Sequence, residues 1–131
     1  MTINALTLPT VIDHAPPVVL ALILALGGLI VGAVIIAGLK LTSGPHLSGG
    51  SAFLSNLRWG GPMLGGLGAA YGALNMAIGI SNQPGDVPLH TLAPGLAEIA
   101  LMLGLGFLCG VTAVIANAAV EARIDRAVLR A

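Results

Sequence analysis

The sequence predicts an all-α membrane protein with three transmembrane helices. Of its 131 residues, 56% are hydrophobic and only 8% are charged, whereas a soluble domain carries roughly 25% charged residues. The hydrophobic residues form three long stretches. Because backbone groups in lipid must satisfy their hydrogen bonds internally, we expect each stretch to be a helix. Alternation of apolar and polar residues, the pattern of membrane strands, is not sustained in any of them.

The predicted spans are joined by short connections. The first span contains no charge and no proline, and its length suits the ~20 residues needed to cross the hydrocarbon. The segment before it has no lysine or arginine and so lacks the basic region of a signal peptide, which predicts that the first helix is retained. The loop after the second span contains the turn signal Asn82-Gln83-Pro84-Gly85. The predicted order is an N-terminal segment 1–17, span 18–39, loop 40–60, span 61–81, loop 82–92, span 93–120 and tail 121–131.

Every basic residue falls on one side of this three-span arrangement. By the positive-inside rule that side is cytoplasmic. The N-terminal segment with Asp13 and the second loop with Asp86 then face outward, and the C-terminal tail lies inside. The five basic residues are Lys40, Arg58, Arg123, Arg126 and Arg130.

Composition and spacing exclude several classes of function. The net charge is zero, whereas nucleic-acid binders need clustered lysine and arginine. The single cysteine, Cys109, rules out a disulfide framework and a cysteine-based zinc site. No phosphate-binding loop or catalytic triad stands out, and His14, His46 and His90 are scattered in loops. We therefore expect a protein that is not an enzyme and uses no cofactor or metal.

Small residues recur along one face of each predicted helix. In lipid, such faces let backbones approach closely, so that dispersion contacts drive association. Packing of three helices within one chain explains part of this pattern. Because three helices have too few mutual contacts to use a small-residue face on each of them, we expect a homo-oligomer as well. The glycines are Gly61, Gly65, Gly68 and Gly72 in the second span, Gly106 and Gly110 in the third, and Gly28 and Gly32 in the first.

Glu98 is the acidic residue that lies within a predicted span. A carboxylate at mid-bilayer costs roughly 2.5–3.5 kcal/mol, so such groups are usually paired, protonated or functional. One interpretation is that Glu98 caps the first turn of the third helix, where it suits the positive end of the helix dipole. The other is that it handles an ion or binds a partner. The sequence leaves both open.

Three further residues are candidates for the same ion pathway or partner contact. Helical spacing places Cys109 and Thr112 on the face of Glu98, and Asn75 is the polar residue within the second span. Each also has a simpler role. Cys109 suits a small buried position, Thr112 a hydroxyl bonded to its own helix, and Asn75 an interhelical hydrogen bond.

Two segments resemble the ExbB/TolQ/MotA proton-channel family. Residues 89–98, which end in Ala93-Pro94-Gly95-Leu96-Ala97-Glu98, resemble the start of the last transmembrane helix of that family. Gly106 and the run from Thr112 to Asn117 are similar to the end of the same helix, with Thr112 where proline is usual. The preceding helix is similar in the spacing of Pro62, Gly65, Gly68, Tyr71 and Gly72, with Tyr71 at a tryptophan position.

The resemblance implies a pentameric ring in the bacterial inner membrane, with a central pore lined by the second and third helices. The pore would hold the single transmembrane helices of an ExbD/TolR-like partner dimer, and ion flow would turn the ring relative to that partner. The sequence departs from the family at two threonines of the proton path, which are Ala69 and Leu103 here. The long cytoplasmic region of the family is also reduced to a short loop.

The sequence leaves two alternatives to the function of a motor or channel subunit. The same ring would serve as a non-conducting scaffold of a larger assembly if Glu98 were only structural, and the loss of both threonines favours this. A rotor-ring proteolipid of the ATP-synthase type is suggested by the glycine-rich second helix, the Gln83-Pro84 turn and the single membrane carboxylate. Its loop would have to carry basic residues on the cytoplasmic side, whereas this loop holds only Asp86.

Overall fold

The computed structural model describes residues 16–43 and 50–130, which form three long α-helices. Each helix is long and apolar enough to cross a membrane, and no strand occurs in this part of the chain. The predicted class of an all-helical membrane protein is confirmed at this level. His14, His46 and all but the last two residues of the predicted segment 1–17 lie outside the described residues. The helices are α1 (Pro17–Thr42), α2 (Gly50–Ser81) and α3 (Leu89–Leu129).

The first helix begins and ends close to the predicted span. Pro17 stands in its first turn, where the missing N–H of proline removes no helical hydrogen bond. At the other end the Thr42 hydroxyl donates a hydrogen bond to the Gly38 carbonyl, 2.9 Å away. Lys40 lies in this last turn and complements the negative end of the helix dipole.

The second helix begins at Gly50, inside the segment 40–60 that was expected to be a loop. The described parts of that segment, residues 40–42 and 50–60, are helical, and only Ser43 is not. The first turns of α2 are amphipathic: Leu54 and Leu57 are buried, whereas Asn56 and Arg58 are exposed. Hydropathy detects continuous apolar runs, and it therefore misses a helix with one polar face.

The third helix is longer than its predicted span at both ends. It begins at Leu89 after Pro88 and continues through the charged tail to Leu129. Gly85 adopts a φ of 110° in the turn that precedes it, a conformation that glycine accepts without steric cost. The early start places Glu98 in the third turn of α3, rather than the first.

Contacts between the helices define an up-down-up bundle. Leu22 near the start of α1 and Met102 of α3 both approach the position that a methyl group on Gly68 of α2 would occupy. At the far end of α1, the Lys40 carbonyl accepts a long hydrogen bond of 3.4 Å from Arg123 of α3. Therefore α1 and α3 run in the same direction, and α2 runs against them.

Glycines bring α2 and α3 into direct backbone contact. A methyl group added to Gly65 would lie 2.6 Å from the Cα atom of Gly106, and one added to Gly106 would lie 2.7 Å from that of Gly65. One turn further along, the ring of Pro62 fills the space beside Gly110. The proline leaves the Arg58 carbonyl without its helical donor, and this oxygen faces Gly110 across the interface.

The small-residue faces therefore do not all have the same role. Those of α2 and α3 pack against each other inside one chain, as the intramolecular interpretation predicts. Gly28 and Gly32 of α1 have no atom within 4 Å of the position that a methyl group would occupy. The face of α1 that carries them is open within the described chain.

Candidate functional site

An open cavity of about 320 Å³ lies between the last turns of α2 and the first turns of α3. Pro16, just before α1, also borders it. Its polar lining comes from both helices and from the turn that joins them: Glu98, Asn75, Thr91 and Gln83. The structure thus brings together Glu98 and Asn75, two of the four predicted candidates.

Glycines make room for the Glu98 side chain between the two helices. A methyl group added to Gly72 of α2 would lie 3.7 Å from Oε1 of Glu98 and 3.2 Å from Cγ1 of Ile99. Gly95, one turn before Glu98, lets the Met76 side chain pack against α3, with its sulfur 3.2 Å from the methyl position. The carboxylate can therefore occupy the groove and still face the cavity.

The helix-capping interpretation of Glu98 is wrong in this structure. Residue Pro88 precedes α3, no side chain caps the helix, and no acidic residue lies in its first turn. Glu98 is the tenth residue of α3, and the favourable effect of the helix dipole fades beyond the first turn. The dipole therefore does not account for a carboxylate at this position.

Glu98 has no partner among the residues that the structure describes. The side chain is half-buried, and none of the hydrogen bonds between described residues involves it. The basic side chains lie towards the other end of the bundle. Along α3 the next one is Arg123, 25 residues further, which is about 37 Å in a helix. The carboxylate is thus free to bind a proton, a cation or a donor from another chain.

Cys109 and Thr112 lie elsewhere in the bundle. The Cys109 side chain is fully buried and packs against Gly61, whose methyl position is 3.0 Å from its sulfur. The Thr112 hydroxyl donates a hydrogen bond of 2.8 Å to the Leu108 carbonyl of its own helix. These positions are about 16 and 21 Å from Glu98 along α3. Each residue has the simpler role that its type predicts.

The positions where the resembled family has threonine provide no hydroxyl near the cavity. Ala69 is buried in the core, whereas Leu103 is exposed on the outer face of α3. Neither residue lines the cavity that holds Glu98. The polar lining of this cavity therefore differs from the arrangement that the resemblance implies.

Two residues of the cavity were missed at the level of sequence. Thr91 precedes Glu98 by seven residues, a spacing that places both on one helix face. The signal was hidden because residues 82–92 were expected to be a loop. Gln83 lies in the predicted turn, and the sequence contains nothing that directs its side chain towards α3.

No protein-family model, no curated protein and no solved structure matches this chain. The described residues contain no group of three or more histidine, cysteine, aspartate or glutamate side chains that could hold a metal ion. What the geometry offers is one carboxylate and several neutral polar groups in an open cavity at one end of an apolar helix pair.

Proposed function

We propose that this protein is a subunit of an ion-conducting or ion-driven assembly in a bacterial inner membrane, of the ExbB/TolQ/MotA type. In this proposal several copies form a ring, five by the resemblance, around a single-span ExbD/TolR-like partner. The N-terminus faces outward and the basic end of the bundle faces the cytoplasm. Glu98 is the group that takes up and releases the ion.

The position of Glu98 is the observation that carries the proposal. An ionisable residue within an apolar helix is costly and by default marks a functional site. Here the carboxylate borders an open cavity with Asn75, and no described basic residue neutralises it. Neither a helix cap nor an ion pair among the residues that the structure describes therefore explains why an acid is present.

The start of α2 supports the assembly of several copies. Asn56 and Arg58 are exposed, yet the Arg58 carbonyl adjoins Gly110 of α3, about ten residues before the apolar part of that helix ends. Polar side chains at this depth are unfavourable against lipid. A second copy packed on this face would shield them, and the open face of α1 that carries Gly28 and Gly32 offers another close-packing surface.

Proton flux through the assembly tests the proposal. The protein is purified together with its membrane partners and reconstituted into liposomes, and proton uptake is driven by a potassium diffusion potential. We expect flux from the wild type and only the background leak from Glu98→Gln, which keeps the shape of the side chain and removes its charge. The matched control is Glu121→Gln on the same helix, which we expect to conduct like the wild type.

A non-conducting scaffold is the second candidate, and Ala69 and Leu103 favour it. Neither residue has the hydroxyl that the family places there, and neither lines the cavity. The polar path through the bundle is therefore shorter than the family resemblance implies. The same flux measurement separates the two functions. Equal background leak from the wild type and from Glu98→Gln, in an assembly that still contains the partner, would establish the scaffold and reject conduction.

A further inference from the structure

A second cavity lies at the opposite end of the bundle from Glu98. It has a volume of about 460 Å³ and is formed where the end of α1 meets the last part of α3. Its floor is apolar, with Leu41, Ala119 and Ala122, and its charged lining is Arg123 and Arg126. This end of α1 also carries Lys40, whose carbonyl accepts the hydrogen bond from Arg123.

The guanidinium groups at this cavity keep most of their hydrogen-bonding capacity. Each arginine has five N–H donors. In the described chain, Arg123 makes one hydrogen bond, of 3.4 Å, to the Lys40 carbonyl, and no acceptor is found for Arg126. Planar arrays of N–H donors with no protein acceptor suit a carboxylate or a phosphate, which they bind through two parallel bonds.

The end of α3 separates its charges onto two faces. Arg123, Arg126 and Arg130 recur at spacings of three and four residues and share the face that contacts α1. Glu121 and Asp125, four residues apart, lie on the other side, and Glu121 accepts a hydrogen bond of 2.8 Å from Asn117. The acidic groups thus point away from the cavity and do not compete with an anion for the arginines.

The depth of the cavity identifies the anion. The apolar run of α1 ends at Lys40, so this level coincides with the boundary between hydrocarbon and headgroups if α1 spans the membrane. The neighbouring side chains Leu39 and Leu41 are exposed and offer an apolar surface to acyl chains. A free anion would use the arginines alone, whereas an anionic phospholipid would use both the charged lining and this surface.

We propose that the cavity between the ends of α1 and α3 binds the phosphodiester headgroup of an anionic phospholipid through Arg123 and Arg126. Lys40, in the last turn of α1, adds a third positive charge to this end of the bundle. Basic groups at this level attract anionic lipids by electrostatics alone, and the cavity adds a defined position. Such a lipid would join α1 to α3 at the end of the bundle where Arg123 donates its long hydrogen bond to the Lys40 carbonyl.

Lipid binding to the purified full-length chain tests this site. Dioleoyl-phosphatidylglycerol is titrated in detergent, and bound lipid is counted by native mass spectrometry. We expect the double variant Arg123→Gln/Arg126→Gln to bind this lipid at least roughly tenfold more weakly than the wild type. The matched control is Arg58→Gln/Arg130→Gln, which removes the same charge from residues outside the cavity and should bind like the wild type.

A pair of charge-neutral variants tests the cavity itself. Ala122→Trp fills the space and keeps both arginines, and we expect it to lose bound lipid, whereas Ala118→Trp on another face should not. These variants also keep the test decisive if the double arginine variant fails to fold. Equal losses in the double variant and its charge-matched control would overturn the site. So would equal binding of dioleoyl-phosphatidylcholine, or displacement of the lipid by millimolar inorganic phosphate.

Discussion

Gly65 of α2 and Gly106 of α3 face each other so closely that neither position can hold a side chain. A methyl group on either residue would lie 2.6–2.7 Å from the Cα atom of the other. Around this contact the backbones of the two helices meet, and carbonyl oxygens approach the opposing glycines, with the Gly61 oxygen 3.0 Å from the methyl position of Gly106. Such proximity favours dispersion and weak Cα–H···O contacts, which drive helix association in lipid.

We therefore expect Gly65→Ala and Gly106→Ala to destabilise the bundle. The obstructing atoms are backbone, so the helices must move apart, at a cost of about 1–3 kcal/mol. Unfolding in mixed detergent micelles, followed by circular dichroism, measures the change. Gly66→Ala is the matched control, because its methyl position has no atom within 4 Å and alanine favours helix by about 1 kcal/mol over glycine. Equal stability of Gly65→Ala and Gly66→Ala would contradict the contact.

The burial of Cys109 predicts that its thiol is inert in the folded protein. The side chain is fully buried and packs against Gly61 of α2. A water-soluble maleimide should leave the thiol unmodified in native membranes and should label it after denaturation, as measured by mass spectrometry. Rapid labelling in the native state would instead place Cys109 in an aqueous ion pathway.

The local hydrogen bond of Thr112 predicts that replacing this residue has little effect on stability or on proton flux. Thr112→Val keeps the shape of the side chain and removes only the bond to the Leu108 carbonyl, which has a helical donor as well. We expect a change in the free energy of unfolding within about 0.5 kcal/mol and unaltered proton flux. A loss of flux without a loss of stability would assign Thr112 to the ion path.

Asn75 is expected to support proton flux through Glu98 without being essential for it. Both residues line the same cavity, and a polar contact within a membrane bundle contributes about 0.6–2 kcal/mol. Flux through Asn75→Leu should therefore fall roughly 3- to 30-fold, to a level between the wild type and Glu98→Gln. Asn82→Leu, which alters an asparagine outside the cavity lining, is the control. Equal effects of the two leucine variants would remove Asn75 from the site.

Assembly of several copies through the polar face of α2 predicts cross-linking at Asn56. Cys109 is buried, so Asn56→Cys supplies the one accessible thiol in the described part of the chain. A short bis-maleimide added to native membranes should join copies of this variant, detected as dimers and higher species after electrophoresis in denaturant. Asp86→Cys at the opposite end should cross-link far less. A variant that remains monomeric under these conditions would argue against the ring.

The membrane class and the number of helices could be predicted from the residues alone, because both depend on length and hydropathy. The same holds for the shared side of the basic residues Lys40 and Arg123, which the structure joins through a hydrogen bond. The start of α2 at Gly50 could not be predicted in the same way, since its first turns combine buried leucines with exposed polar side chains. The late position of Glu98 within α3 was missed for a related reason: the turns before it are only moderately apolar.

The partner of each helix face was decided by tertiary contacts. Helical periodicity shows that Gly61 and Gly65 share a face, but not whether that face meets another helix of the same chain or a second copy. In lipid no hydrophobic force distinguishes these choices, so the outcome depends on shape, and the fit of Gly65 against Gly106 places this face inside the chain. The same fit buries Cys109 and leaves Glu98 in the open groove where the helices end.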